Sequence, residues 1–257
     1  ELGIVRSSIN MFVVVATAGL GITSTKFIAQ YLNIDNYKVE KAIQAIRTFS
    51  LLITTILCLC IIFLSNYIAL SILKAEHLTS IIRVGAIMLF FSALNAVQTG
   101  TLYGFRDYKT IALNTIYSSI SEIIFLAIGA YFYGVIGAII GSGLSIFILY
   151  LLNNYSVKIH YKKNNLFFNK KLSTSDFDII WSFAIPAALS SYLVVPSLWI
   201  IKTLLVRQNG FGELAIFDVG EQWRVLILFI PLSIGRLVLP YLSKFEGENN
   251  YNKQIKT

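Results

Sequence analysis

Histidine, cysteine and charge are all scarce in this sequence, and each shortage removes a class of function. The two histidines, His77 and His160, stand far apart and leave little material for a His-based catalytic or metal site. Cys58 and Cys60 sit two apart on one predicted helix, with thiols on different faces. They read as apolar filler rather than as a disulfide or metal pair. The glycine pairs Gly19 with Gly21, Gly141 with Gly143 and Gly210 with Gly212 lack the Lys-Ser/Thr of a phosphate loop, which argues against direct ATP use. Only 13% of the chain is charged, and its longest polar connection is strongly basic and poor in acid–base residues. A membrane-embedded glycosyltransferase or polymerase therefore has nowhere to keep its chemistry, and the chain reads as a non-enzyme that needs no cofactor.

What the chain has in abundance is apolar length. Of its 257 residues 56% are hydrophobic, and the mean hydropathy is +0.71. A water-soluble domain of this size cannot hide so much oily surface, so the surrounding medium is lipid. About seven stretches approach or exceed the roughly 20 residues a helix needs to cross a bilayer. They run over 9–27, 49–73, 81–102, 111–133, 135–155, 179–206 and 225–242. Runs such as LLITTILCLCIIFL do not alternate in polarity, which excludes a β-barrel. The first stretch ends on Lys26 without a small-residue cleavage site and reads as a membrane helix rather than a leader. The predicted fold is an all-α, polytopic transmembrane bundle.

The net charge of +8 would suggest nucleic acid in a soluble protein; here it describes topology. With the gaps between spans numbered alternately, Lys26, Lys38, Lys41, Arg47, Arg106, Lys109 and the lysines of 158–171 fall on one side. By the positive-inside rule that side is the cytoplasm. The segment from Ser156 to Asp178 reads as a basic cytoplasmic linker lying on anionic headgroups. It divides a first lobe (1–156), a linker (157–178) and the start of a second lobe (179–257). NYKVEKAIQAIR, with Val39, Ala42, Ile43 and Ile46 at helical spacing, predicts a short interfacial helix leading into the next span. ELGIVRSSIN at the start of the sequence is weakly repeated in ELAIFDVGEQ from Glu213. The implied repeat is about six helices long, as in transporters with parallel halves. On that reading the chain begins after the first helix of one half, stops two helices into the next, and is a fragment of a longer protein.

Within the spans, Gly137 and Gly141 form a GxxxG pair suited to close helix packing. All four prolines lie in the last two spans: Pro186 and Pro196 in one, Pro231 and Pro240 in the other, where each invites a kink. Glu122 and Arg236 are the ionisable groups set deepest in apolar surroundings, which makes them candidates to face a cavity. Lys26, Arg83, Lys202 and Arg224 lie nearer the ends, where snorkelling competes with function. Asn95, Gln98 and Thr99 share one helical face, as do Asn114, Ser118 and Ser121. Such faces line a water-filled cavity or hold neighbouring helices together.

The stretches ATAGLGITSTKFIAQY, RVGAIMLFFSALNAVQTGTLYGF and YFYGVIGAIIGSGLS resemble those of bacterial polysaccharide (O-antigen type) flippases. These belong, with the multidrug exporters, to the multidrug/oligosaccharidyl-lipid/polysaccharide exporter superfamily. The resemblance implies a two-lobe transporter of the bacterial inner membrane, and this chain holds about half its usual helix set. It implies undecaprenyl-pyrophosphate-linked oligosaccharide as the partner within the lipid bilayer, with a cationic cavity suited to pyrophosphate. Arg236, Lys26, Arg83 and Arg224 would then supply charge, and Glu122, Asn95 and Gln98 polar contacts. The competing readings are an ion-coupled multidrug exporter of the same fold, which favours acidic residues in the cavity, and a lipid II flippase.

Overall fold

The computed structural model describes residues 12–13, 17, 19–32, 34–72, 79–167, 173–178, 180–184, 186–187 and 194–247. The first span, 9–27, falls largely outside these residues. Its inner end is α1, Leu20–Tyr31. Next comes α2, Asn36–Tyr67, prolonged by a π-helical turn Ile68–Ile72, and then α3, Thr79–Gly104. A 56-residue element, α4, runs from Tyr108 to Lys163. Short turns at Thr174–Phe177 and Ile180–Ala184 lead to α5, Val194–Asn209, and α6, Phe211–Gly247. Among the described residues three elements, α2 with its prolongation, α3 and α4, are long and apolar enough to cross a membrane.

The 56 residues of α4 are two helices rather than one. Gly134 breaks it with φ 59° and ψ −138°, a left-handed conformation that a residue with a Cβ adopts only under strain. The chain folds back there, so that the arms 108–133 and 135–163 lie antiparallel, in agreement with the two spans predicted on either side of Gly134. The predicted GxxxG pair packs the arms: a methyl on Gly137 would collide with the carbonyl of Gly129, and one on Gly141 with that of Phe125. The same logic joins α1 to α3. Gly100 has no room for a side chain beside the carbonyl of Gly21. In that close approach Thr25 Oγ1 donates to the Gly100 carbonyl at 3.0 Å, and Ser24 and Thr101 share a hydrogen bond of 2.9 Å.

The periphery is apolar. Phe63, Ile123 and Ile227 are exposed by 82, 71 and 74%, a surface that hydrocarbon solvates and water does not. The first four helices form one bundle, and α1 also packs along α6. Near one end, Leu214 is buried against a core that includes Ile61, Ile81 and Leu89.

Some local expectations change. NYKVEKAIQAIR is not a separate interfacial helix: it is the first third of α2, and Val39, Ala42, Ile43 and Ile46 are buried in protein. An apolar stripe has the same period whether lipid or a neighbouring helix covers it, and here Ile28, Phe105 and Leu166 share the cluster of Val39 and Ile43. The linker starts helical, because α4 continues to Lys163. The polar stretch after residue 206 is also helical: only Gly210, with φ 83°, separates α5 from α6. Its charges pair locally, Lys202 with Asp218 at 2.6 Å and Arg224 with Glu221 at 2.7 Å. Pro196 lies on α5, near the start of its described part, Val194–Asn209. Pro231 and Pro240 lie inside α6, which runs on through both.

Candidate functional site

Three helical arms bring the polar residues of the apolar spans together. Asn95 on α3, Asn114 on the first arm of α4 and Asn153 on the second are each less than one-tenth exposed. An unpaired amide in that setting is expensive, and here each is bonded. Asn153 Nδ2 donates to Asn95 Oδ1 at 3.3 Å and to Thr99 Oγ1 at 3.2 Å, while its Oδ1 accepts from Asn114 Nδ2 at 3.0 Å. Asn114 also donates to Ser156 Oγ, Asn95 donates to the carbonyl of Ile146, and Ser118 donates to that of Ser145. The two polar faces read from the sequence thus meet, with Asn153 as the hub between them.

Beside this network, between α2, α3 and the second arm of α4, lies a cleft of about 240 Å³. Gln98 and Thr101 line it from α3, Arg47 and Ser50 from α2, and Asn154, Lys158 and Tyr161 from α4. Gln98 Oε1 and Ser50 Oγ are buried there with no hydrogen-bond partner among the described residues. Of the sequence candidates, the structure joins only Asn95 and Gln98 in one polar region.

The others are dispersed. Lys26, half-buried on α1, holds its ammonium 4.4 Å from the ring centre of Phe183, in the turn that precedes α5. Phe183 meets Phe27 edge-on at 5.9 Å. Lys26 therefore marks a contact between the first four helices and the segment leading into α5. Glu122 is half-buried on the first arm of α4, one turn beyond Ser118. Arg83 is at the opposite end of α3, donating to Ser65 Oγ at 3.0 Å and Asn66 Oδ1 at 3.3 Å. Arg224 is held by Glu221, which holds the guanidinium in its charged form. Arg236 falls on α6, with its side chain outside the described residues.

The end of the bundle that carries Arg106 and Lys109 is tied by ionic contacts. Asp107 caps α4 by accepting from the Thr110 backbone N–H at 3.2 Å and pairs with His160 Nε2 at 2.7 Å. Burial pushes the Asp107 carboxyl up, but the bonds from His160 and Thr110 outweigh it and hold the group below its ordinary range. Lys41 pairs with Asp176 at 2.8 Å. Its hydrogen bond, with that from the Ser173 N–H, lowers the Asp176 carboxyl likewise. Glu40 accepts from the Phe167 N–H at 2.7 Å. The linker is thereby fastened under α2.

Sequence alone does not single out Asn153, Arg47, Ser50 or Lys158. An adjacent amide pair, Asn153 and Asn154, inside an apolar run is the signal available; Arg47 and Lys158 read there as topology alone.

Comparison with known proteins agrees with this architecture. The family model described as "Polysaccharide biosynthesis protein" matches residues 2–246. The EPS I polysaccharide export inner membrane protein EpsE of Ralstonia solanacearum is 37% identical over 65 residues, 25% of this chain and 15% of that protein. Its counterpart in Ralstonia nicotianae is 34% identical over 70 residues, 27% of this chain and 16% of that one. Among solved structures, a MOP superfamily transporter from Pyrococcus furiosus superposes with a TM-score of 0.77 at 20% identity, covering 98% of this chain and 58% of its own. MATE in complex with MaD3S gives 0.79 at 20% identity, with 98% and 60% coverage. The chain thus spans a little under two thirds of the transporters whose fold it shares. With the family match extending over nearly its whole length, the chain belongs to the polysaccharide biosynthesis protein family, built on the helical fold of the MOP superfamily.

Proposed function

We propose that this chain is part of an inner-membrane transporter that moves a lipid-linked oligosaccharide, carried on undecaprenyl pyrophosphate, from the cytoplasmic to the outer leaflet by alternating access. The observation that carries the reading is the family match over residues 2–246; a relative named for polysaccharide export supports it. Residues 1–156 would form the first lobe, 157–178 the linker and 179–257 the start of the second lobe. Lys26, at the contact between α1 and Phe183, and Arg236 on α6 would meet the anionic pyrophosphate. Glu122 and Asn95 would serve the sugar side, with Arg83 near one end of α3 and Arg224 within α6 as further cations. A transporter of this kind makes and breaks no covalent bond, which fits a chain poor in acid–base residues.

An ion-coupled multidrug exporter is the competing reading, favoured by the solved multidrug MATE neighbours and by half-buried Glu122. Reconstitution in vesicles with a fluorescent lipid-linked oligosaccharide separates the two. Protein-dependent movement of the glycolipid between leaflets is expected. Movement of organic cations with none of the glycolipid would reject the proposal, and a lipid II flippase would move the peptide-bearing carrier instead.

A further inference from the structure

Farther along α3 and the second arm of α4 from the cleft holding Gln98 lies an apolar groove of about 380 Å³. Cleft and groove occupy one continuous stripe on each helix: Val84, Ile87, Phe91, Leu94, Gln98 and Thr101 on α3, and Ile140, Leu144, Phe147, Tyr150, Asn154 and Lys158 on α4. Both sets recur at three- and four-residue intervals, the spacing of a single helix face. At the join, Phe91 packs its ring against Phe147 and Tyr150 at 4.9 and 5.4 Å.

This seam is polar and cationic at one end and bare hydrocarbon along the rest. The polar end has Arg47 and Lys158, neither of them in an ion pair among the described residues. It also has two buried atoms without partners among those residues, Ser50 Oγ and Gln98 Oε1. A hydroxyl donor needs an acceptor and a carbonyl oxygen needs a donor. A phosphate oxygen and a headgroup hydroxyl supply one each. From Gln98 to Val84 the stripe climbs about 20 Å, which exceeds half of a hydrocarbon core of roughly 30 Å. That length suits the chain of a lipid from one leaflet. The polar end lies toward the lysine-rich ends of the helices, at the level of inner-leaflet headgroups.

We propose that the α3–α4 seam is a binding site for one anionic phospholipid of the inner leaflet, a glycerol-bearing phosphodiester seated between Arg47 and Lys158 with an acyl chain in the groove. On α3, Gln98 lies about 160 to 200° around the helix from Ala96 and Gly100, the residues that meet α1. The seam therefore lies on the face of α3 turned away from α1. Basic pockets between membrane helices on the cytoplasmic side hold lipid headgroups in this way.

Native mass spectrometry of the whole chain in detergent tests it, with phosphatidylglycerol, phosphatidylcholine, glycerol 3-phosphate and polyprenyl phosphate as probes. Phosphatidylglycerol should bind at least tenfold more tightly than phosphatidylcholine. R47Q/K158Q should weaken it on the order of thirtyfold, two cations each worth about fivefold. Leu144→Trp, which fills the groove, should weaken phosphatidylglycerol while leaving glycerol 3-phosphate unchanged. Equal binding of the two phospholipids, or of phosphatidylglycerol by R47Q/K158Q and the native chain, overturns the proposal. Glycerol 3-phosphate as tight as the lipid would make this a soluble-anion site, and preference for polyprenyl phosphate a carrier site; either result rejects it. Should the double variant fail to fold, phosphatidylglycerol with a photoreactive chain decides on the native protein. Adducts on 84–91 and 140–147 support the seam, and adducts confined elsewhere reject it.

Discussion

Replacing Asn153 by leucine keeps the branched shape of the side chain, with some added bulk, and removes the polar hub that joins α3 to both arms of α4. Three hydrogen bonds vanish, to Asn95, Thr99 and Asn114. Asn114 retains Ser156 and the Asn95 amide nitrogen retains the carbonyl of Ile146, while Asn95 Oδ1 loses its donor. Interhelical hydrogen bonds in membranes average about 0.6 kcal/mol, because the separated helices also find partners. Three of them come to about 2 kcal/mol. The expected effect is a destabilisation of that size for N153L, measured as a displaced unfolding equilibrium in mixed detergent micelles. A double-mutant cycle with N114A isolates one bond and should show a coupling of about 0.6 to 1.7 kcal/mol. Additivity within about 0.3 kcal/mol, or a total loss for N153L below about 0.5 kcal/mol, would refute the view that this network joins α3 to both arms of α4.

Gly100→Val should cost about 1 to 3 kcal/mol through overpacking against the Gly21 carbonyl; a melting curve in detergent checks it, and an unchanged midpoint would mean that α1 and α3 are not in contact. The Asp107 carboxyl titrates lower in the folded chain than when unfolded. Its stabilisation is therefore full above about pH 3.9 and disappears as pH falls through the lower folded value. Melting temperatures between about pH 2 and 6 should show this acid-side loss for the native chain and a flatter profile for Asp107→Asn. Arg236→Ala and Glu122→Gln, placed in the intact transporter, should reduce surface polysaccharide while leaving membrane insertion and protein level unchanged. Normal polysaccharide in both would remove these residues from the proposed path.

The helices were legible because hydrocarbon demands long, uniform apolar runs, and the turn between 133 and 135 because a lone glycine ended one such run. What covers each helix was not. Val39, Ala42, Ile43 and Ile46 have the spacing of a membrane-surface stripe, yet bury against Ile28, Phe105 and Leu166, which lie far away in sequence. Polar faces were legible one helix at a time: Asn95 with Gln98, and Asn114 with Ser118. Their junction through Asn153 was not, since nothing local says which amide on the returning arm will stand opposite. Arg47 and Lys158 reveal the same limit. Their charge told the topology, and their convergence across α2 and α4 depended on how three helices pack.

The turn at Gly134 bears on how the protein is made. One residue joins an outward-running arm to an inward-running one, so no hydrophilic loop has to be carried through the bilayer interior between them. The two arms can enter the lipid as a closed pair, with the Gly137 and Gly141 contacts already formed. Lengthening that link with polar residues would then impair assembly before it touched any finished property of the protein.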